Sequence, residues 1–340
     1  MTSPLRHTPL LPGTLQNLFY PPRQYVYFAR AAEVPFLNAS PMAKVAWAAD
    51  AAMLAYARYG ERRMTDEELG ANFTRGGLEY TKIGGTPQDW NAPGTQAVFA
   101  TCDAFAILTF RGTERDDPKD LTSDADLLLV HEPDYGEPDY RPAARDSGSV
   151  LGHLSFVTHL FVEPCLVHRG FQLALNQVWE DVHHLITDYR QTHPDAEICF
   201  TGHSLGAALA LLAFSRFADP NISLYTFGCP RVGDGAFRDR TLSNPGRGIY
   251  RYVNYNDAVT HVPTESLLYR QTPKACYRFT AEGDLDTGDD SFDGDVNALG
   301  AAVAGLPNSI ELGNLDDIPA PPSLVDHSPA RYCFRAWDFV

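Results

Sequence analysis

Short apolar runs and longer amphipathic stretches alternate along most of this chain of 340 residues. The short runs are rich in β-branched and aromatic residues, as strands are. They occupy residues 97–102, 105–110, 127–130, 198–201, 223–227, 249–255 and 276–280. The first two are separated by Asp103 and predict a hairpin. Apolar residues recur at helical spacing at 172–191, 205–214 and 234–242. From residue 98 onward, this alternation predicts an α/β fold with a mostly parallel central sheet and helices on both faces.

The N-terminal part of the chain has a different pattern. Residues 1–38 carry many prolines and aromatic residues without periodicity, which predicts an extended arm packed on the domain surface. Ser40 can cap a helix whose first turn contains Pro41 and whose apolar positions recur from Val45 to Tyr56. Thr65 precedes an acidic stretch that favours a second helix start. We expect residues 1–96 to form an N-terminal arm and helices packed on the α/β domain at 97–340, within a single structural domain overall.

Two long segments interrupt the predicted alternation. Residues 131 to about 164 are long for a connection in a compact domain, and such loops commonly serve as lids or binding loops, so we expect a cap or lid insertion at about 114–164. An acidic excursion covers about 283–320, and its first part, 283–295, has the composition of a solvated loop. We expect no metal there, because its glycine and distal glutamate do not fall where an EF-hand needs them. Residues 319–322 predict an extended linker.

Charge and cysteine usage exclude several classes of protein. The chain has 43 acidic and 27 basic residues and a formal net charge of -16, which repels nucleic acid and anionic membrane surfaces. No apolar run reaches the ~18 residues of a transmembrane segment. The N-terminus lacks the basic and apolar regions of a signal peptide, so we expect a protein that is cytoplasmic or exported by a route without a cleaved signal. Scattered cysteines argue against zinc, and Cys199 and Cys229 are predicted to be buried.

A glycine-rich turn joins one predicted strand to one predicted helix. The run at 198–201 meets Gly202, reaches Ser204, and continues after Gly206 as an Ala- and Leu-rich helical stretch. Glycine on both sides suits a turn so tight that the serine takes a strained backbone conformation and projects its hydroxyl. The flanking strand and helix therefore make Ser204 a candidate nucleophile. The alternative is an ordinary strand-to-helix turn with an incidental serine.

A serine nucleophile needs a base and a group that orients the base. In a doubly wound sheet these partners follow later strands, and Asp257 follows the strand at 249–255. A turn aspartate that merely ends the strand is the alternative. In this fold class the order is nucleophile, acid, histidine, and only His261 and His327 follow Asp257. Because His261 is so close to the acid in sequence, we expect it to be structural or site-lining. His327 is the candidate base.

Six sequence motifs occur together in one order. They are Phe-Arg-Gly-Thr at 110–113, Val-His-Arg-Gly-Phe at 167–171, the serine turn at 201–208, the strand and turn at 225–233, Asn-Asp at 256–257 with Val-Pro at 262–263, and Asp-His at 326–327 with Tyr332. In this order they resemble the class 3 (fungal-type) lipase family of α/β-hydrolases. The resemblance covers about residues 98–263 and the short histidine segment, and it implies an α/β-hydrolase fold.

The resemblance also implies roles for the site residues. Ser204 is the nucleophile, His327 is the general base and then the general acid, and Asp257 orients His327. The backbone N–H of Leu205, together with the backbone N–H and hydroxyl of Thr113, would form the oxyanion hole. No metal and no organic cofactor is implied.

Three further residues of the family pattern have supporting roles by this resemblance. We expect His168 and His203 to pack and form hydrogen bonds near the site. We expect Arg231 to be structural rather than to bind substrate.

The implied reaction is hydrolysis of acylglycerol or other lipid esters through an acyl-enzyme on Ser204. The expected partner is therefore a lipid or other ester substrate, met through transient contact with a lipid interface. Interfacial family members carry an amphipathic lid after the oxyanion residue, whereas residues 114–120 here are polar and contain no aromatic side chain. This departure favours two alternatives, a phospholipase of the A1 type and a non-lipolytic esterase of the feruloyl kind. A catalytically inactive binding protein is a remote alternative.

Overall fold

The chain folds around one large mixed sheet. This computed structural model describes residues 25–37, 40–56, 64–85, 94–112, 128–133, 164–244, 246–289 and 322–340. The strands within these ranges are β1 (Glu79–Gly84), β2 (Gln96–Thr101), β3 (Phe105–Phe110), β4 (Leu129–His131), β5 (Leu166–His168), β6 (Glu197–His203), β7 (Ile222–Phe227), β8 (Ile249–Asn254), β9 (Ala275–Phe279) and β10 (Leu285–Asp289). Over the same ranges, the main sheet has eight strands, and β4 and β5 form a separate pair.

The main sheet has the strand order β1-β2-β3-β6-β7-β8-β9-β10. The five strands from β3 to β9 in this order are parallel, and β1, β2 and β10 add antiparallel pairings at the edges. The predicted hairpin is confirmed, because β2 pairs antiparallel with β3. Because β6, β7 and β8 are parallel, their carboxyl ends lie side by side at the same end of the strands. Ser204 follows β6 and Asp257 follows β8 at these carboxyl ends.

Helices cover the two faces of the sheet. They are α1 (Pro41–Leu54), α2 (Asp66–Arg75), α3 (Arg169–Asn176), α4 (Trp179–Thr192), α5 (Leu205–Arg216), α6 (Gly235–Leu242), α7 (Pro322–Val325) and α8 (Pro329–Asp338). Alternate residues of β2 enter different cores: Val98 packs with α1 and α8, whereas Phe99 packs with α3, α4 and α5. The predicted mostly parallel sheet with helices on both faces is therefore confirmed. Cys199 and Cys229 are buried, as predicted.

The predicted starts of the first two helices are confirmed, but only one has the expected cap. Thr65 forms a full capping box with Glu68: its hydroxyl accepts the Glu68 N–H at 3.2 Å, and the Glu68 carboxylate accepts the Thr65 N–H at 2.7 Å. Pro41 occupies the first turn of α1, but the Ser40 side chain makes no capping hydrogen bond. None of the helices in the described ranges is long and apolar enough to cross a membrane.

The single helix predicted at 172–191 is wrong, because the structure has two helices, α3 and α4, in this region. Val178, between them, has φ -121 and ψ 3, outside helical geometry. Contacts with the residue before β2 compete with the helical hydrogen bonds here. The Thr95 hydroxyl donates to the Ala174 carbonyl at 2.7 Å, and the Gln177 side chain accepts the Thr95 N–H at 3.1 Å.

The acidic run at 283–295 is only partly the solvated loop that its composition predicts. Its described part contains β10, which pairs antiparallel with β9 along five residue pairs from Leu285 to Asp289. Most side chains of β10 are exposed, so the strand satisfies backbone groups while its charges remain in water. The predicted linker at 319–322 is wrong at its last residue, since Pro322 begins α7; residues 319–321 lie outside the described ranges.

The two ends of the chain meet in one core. The expectation that residues 1–38 lie on the surface is wrong for the described part, because Tyr27, Phe28 and Phe36 are buried and pack with α1 and α8. Neither α8 nor β1 was predicted. The β1 strand extends the main sheet beyond the expected domain start at residue 97, and it pairs with β2 along its whole length.

A buried carboxylate on α1 joins these two ends. Asp50 accepts hydrogen bonds from the Tyr25 hydroxyl, from the Phe28 N–H at 2.7 Å, and from the Trp337 indole N–H at 3.0 Å. Burial raises the pKa of Asp50 to about 6, although all three donors oppose this shift by stabilising the carboxylate. The N-terminal segment and α8 are thus attached to α1 through a single side chain.

Replacing Asp50 with alanine is expected to lower the free energy of unfolding by about 2–4 kcal/mol, because the buried donors would lose their shared acceptor. Urea unfolding at neutral pH measures this change. Asp103→Ala is the control, since its side chain is fully exposed and should change stability by less than about 0.5 kcal/mol. Equal stability of the two variants would show that the carboxylate does not hold the two ends together.

Candidate active site

Ser204 lies in a strained turn between β6 and α5. Its backbone has φ 59 and ψ -128, and its N–H donates to the Phe227 carbonyl of the neighbouring strand at 3.0 Å. A Cβ on Gly202 would lie only 2.7 Å from the Ala207 nitrogen, and a Cβ on Gly206 would overlap the Phe110 carbonyl oxygen. Both glycines are therefore required by close backbone approach, as the sequence pattern predicts. The turn places Ser204 at the carboxyl edge of the sheet.

Asp257 is buried just after β8, at the start of a short 3₁₀ helix. Its carboxylate accepts the Val259 N–H at 2.9 Å and the Tyr332 hydroxyl at 2.6 Å. It also accepts the Nδ1–H of His327, at 2.8 Å to one carboxylate oxygen and 3.0 Å to the other. Asp257 and His327 are 70 positions apart in sequence, and the structure joins them by a hydrogen bond. The order of residues along the chain predicted this pair.

His327 lies in the turn between α7 and α8. Because its Nδ1–H faces a carboxylate, the neutral ring carries its lone pair on Nε2. Within the described ranges, His327 Nε2 and the Ser204 Oγ are both buried and have no hydrogen-bond partner. The acceptor nitrogen of His327 and the hydroxyl of Ser204 are thus both without a partner among the described residues, at the carboxyl ends of the parallel strands. Buried polar atoms are normally paired, so both atoms have hydrogen-bonding capacity left for a bound substrate.

A glycine makes room for this pair. Gly228 follows β7, between the strands that carry Ser204 and Asp257, and it has φ +58. A Cβ at this position would lie 2.8 Å from an Asp257 carboxylate oxygen and 2.9 Å from the His327 ring. Any larger residue would therefore displace the pair. The run Phe-Gly-Cys-Pro at 227–230 was noted in the sequence, but the role of Gly228 becomes visible only from these distances.

Of the two predicted oxyanion residues, one can be placed. Leu205 is the first residue of α5, directly after Ser204, where backbone N–H groups at the positive end of the helix are available to an anion. Thr113 lies outside the described residues, which end at Gly112 in this part of the chain. The role of Thr113 stays a prediction.

The structure also places three other residues named in the sequence analysis, which are His168, Arg231 and His261. The His168 ring stacks on Phe171 at 4.0 Å between centroids, and its Nδ1 accepts the Phe171 N–H at 3.3 Å, which caps α3. Arg231 donates to the His261 carbonyl and, at 2.9 Å, to the Pro263 carbonyl. It therefore holds the loop that follows Asp257, in keeping with a structural role. His261 is buried in the 3₁₀ helix after Asp257.

Two tyrosines at the site were not recognised as site residues from sequence. Tyr332 donates to Asp257, and its hydroxyl accepts the Asn254 N–H at 2.9 Å, so it connects the carboxylate to the end of β8. Tyr56, just after α1, was predicted only as an apolar position of a helix, yet its hydroxyl lies 3.0 Å from Nδ1 of His203. A polar aromatic residue at the end of an Ala-rich helix was the only signal in the sequence.

Comparison with known proteins agrees with this geometry. A family model described as Lipase (class 3) matches residues 107–267, a range that includes Ser204 and Asp257. Over this segment the chain is similar to the class 3 lipase family. It is 38% identical over 131 residues to a lipase of Rhizomucor miehei, a match that covers 35% of this chain and 36% of the relative. It is 30% identical over 175 residues to a secreted mono- and diacylglycerol lipase A of Penicillium camembertii, covering 48% and 57%.

Solved structures extend the likeness beyond the matched class 3 lipase segment. A lipase from Rhizopus microsporus var. chinensis superposes with a TM-score of 0.53 and 22% identity, covering 93% of each chain. A Rhizomucor miehei lipase propeptide complex gives a TM-score of 0.51 and 18% identity, covering 92% of this chain and 99% of the other. These matches confirm the α/β-hydrolase fold. In sequence, the matches span 28–57% of the length of the first curated relatives.

Proposed function

We propose that this protein is a serine carboxylic ester hydrolase that cleaves acylglycerol or other lipid esters through an acyl-enzyme on Ser204. The observation that carries the proposal is the buried hydrogen bond between Asp257 and His327 beside a serine in a strained turn. It leaves an imidazole Nε2 and a serine Oγ without partners in the described ranges. The match of residues 107–267 to the class 3 lipase family supports the same chemistry.

The first half of the proposed reaction forms the acyl-enzyme. Ser204 Oγ attacks the ester carbonyl carbon while its proton moves to His327 Nε2. The Asp257 carboxylate, which already accepts the Nδ1–H, stabilises the imidazolium that results. The carbonyl oxygen becomes an oxyanion, and the N–H of Leu205 lies at the helix end that favours negative charge. The ester C–O bond then breaks, and His327 gives its proton to the leaving alcohol.

The second half of the reaction releases the acid. A water molecule takes the place of the alcohol, and its proton moves to His327 Nε2 as its oxygen attacks the acyl carbon. The bond from that carbon to Ser204 Oγ breaks, and the proton returns to the serine. The enzyme is regenerated with no net change in charge, and every proton transfer uses a group within the described site.

Two observations bear on the substrate class: the names of the curated relatives, and the polar segment that follows the predicted oxyanion residue Thr113. The curated relatives are named as lipases, one of them for mono- and diacylglycerols, which supports a lipid ester. The polar composition of residues 114–120 supports the second candidate, an esterase that acts on soluble esters or a phospholipase of the A1 type. A polar segment would bury little acyl surface at an interface.

A substrate panel tests the proposed function. The purified protein is assayed on short- and long-chain nitrophenyl esters, on a triacylglycerol emulsion and on phosphatidylcholine vesicles, and is treated with a fluorophosphonate that labels serine nucleophiles. We expect ester hydrolysis and stoichiometric labelling. A rate that rises above the solubility limit of the substrate supports the interfacial lipase, and a preference for dissolved short esters supports the second candidate. An unlabelled protein without hydrolysis would contradict both.

A further inference from the structure

The side chain before the nucleophile contacts the backbone of the candidate base. His203 is the last residue of β6, directly before Ser204, and it is buried. Its Nε2 lies 2.6 Å from the main-chain oxygen of His327, and the two imidazole rings are 4.5 Å apart between centroids. A direct hydrogen bond thus joins the strand that carries the nucleophile to the turn that carries the base.

The partners of His203 determine its protonation. A carbonyl oxygen can only accept, so Nε2 must carry a hydrogen and donate to the His327 carbonyl. Burial lowers the pKa of His203 well below its usual value, and the neighbouring His327 lowers it further, so the ring is neutral. A neutral ring with its hydrogen on Nε2 has a lone pair on Nδ1. The Tyr56 hydroxyl lies 3.0 Å from Nδ1 and 3.2 Å from the main-chain oxygen of His203, and it donates to His203 at these two acceptors.

Tyr56 is itself held in place by several contacts. Its N–H donates to the Met53 carbonyl at 3.0 Å, which continues the end of α1. Its hydroxyl lies against the backbone at Gly112, where an added Cβ would overlap it. The preceding helix is attached to the sheet, because the hydroxyls of Thr109 and Thr201 donate to carbonyls of α1 at 3.3 and 3.2 Å. The Tyr56 hydroxyl is thus a fixed point rather than a mobile group.

These contacts form one directed chain of hydrogen bonds, from Tyr56 to His203 and from His203 to the main chain of His327. We propose that Tyr56 and His203 are positioning residues: the pair fixes the turn at His327 relative to Ser204, so that Nε2 stays within reach of the serine hydroxyl. The inference rests on the proposed function. Neither side chain exchanges a proton with substrate in this role, and His203 acts through its neutral Nε2–H.

Removing the donor should slow the reaction with little effect on binding. In His203→Leu the His327 turn loses its hydrogen bond, and we expect kcat on a soluble nitrophenyl ester to fall about a hundredfold, with KM changed less than about twofold. His203→Gln is the rescue variant, because its amide nitrogen can donate from the place of Nε2. We expect His203→Gln to keep kcat within about fivefold of the wild type.

Removing the tyrosine hydroxyl should have a smaller effect. We expect Tyr56→Phe to lower kcat about tenfold, because Nδ1 of His203 would lose its donor. Tyr27→Phe is the matched control: the Tyr27 hydroxyl is also buried, but it has no hydrogen-bond partner in the described ranges. The control should leave kcat unchanged. If the pair acts as one chain, the double variant Tyr56→Phe with His203→Leu should be no slower than His203→Leu alone.

Several outcomes would overturn the positioning role. They are an unchanged kcat in both His203→Leu and Tyr56→Phe, an equal loss in His203→Leu and His203→Gln, and independent effects that multiply in the double variant. If His203→Leu does not fold, the comparison of Tyr56→Phe with its control still decides. A wild type that is neither labelled nor active overturns the proposed function and the positioning role together. A labelled wild type with unaffected variants overturns the positioning role alone.

Discussion

Replacing Ser204 with alanine is expected to lower kcat for ester hydrolysis by about 10⁶-fold and to abolish fluorophosphonate labelling. The reason is that no acyl-enzyme can form without the hydroxyl. Alanine keeps the Cβ, so the turn at φ 59 remains in the same strained region and the variant tests the hydroxyl alone. Initial rates on a soluble nitrophenyl ester, together with gel detection of the label, measure both effects.

The folding of this variant is part of the same prediction. The Ser204 hydroxyl is buried without a partner in the described ranges, so its removal should leave the free energy of unfolding equal to that of the wild type or raise it by up to about 1 kcal/mol. Ser215→Ala is the control, because Ser215 lies on the same helix and only donates to the Leu212 carbonyl at 2.7 Å. Ser215→Ala should keep full activity. Labelling that persists in Ser204→Ala would show that another residue is the nucleophile.

The strained turn at Ser204 could be predicted from sequence, because the backbone contacts that shape it involve residues close to it in the chain. Gly202 and Gly206 are required by contacts within a few residues of Ser204 and with the adjacent strand β3, and the glycine spacing reports these contacts directly. The strand before the serine and the helix after it have ordinary hydrophobic patterns. Asp257 was also recognisable, because it follows a strand that the pattern of apolar residues predicts.

His327 was found by a different kind of argument. The order of the triad along the chain selected it, together with the short Asp-His motif at 326–327 with Tyr332. The helix α8 that follows His327 was not predicted, although its Tyr332 hydroxyl donates a hydrogen bond to the Asp257 carboxylate. Such a contact depends on how the C-terminal part of the chain returns to the sheet, and the spacing of residues does not encode that path.

The errors have a common physical origin. The break at Val178 results from hydrogen bonds with Thr95, and the buried arm at Tyr27 and Phe28 results from packing against α1 and α8. In both regions, tertiary contacts override the local pattern. Tyr56 is the same case at the site: its helix end was predicted as apolar, and only the folded chain shows which hydrogen bonds its hydroxyl makes.

Replacing His327 with alanine is expected to lower kcat about as much as loss of the serine, by about 10⁶-fold. Without Nε2, no group takes the proton from Ser204 or returns one to the leaving alcohol. Asp257 would still accept hydrogen bonds from Val259 and Tyr332, so the buried carboxylate keeps two donors and the variant should fold. Single-turnover rates of labelling and steady-state hydrolysis measure the loss.

A second histidine variant separates the base from a structural histidine. His261→Ala is this control, because His261 is the other histidine that follows Asp257. We expect His261→Ala to keep kcat within about tenfold of the wild type, whereas His327→Ala loses it. A greater loss in His261→Ala than in His327→Ala would reassign the base to His261, and the hydrogen bond between Asp257 and His327 would then be structural.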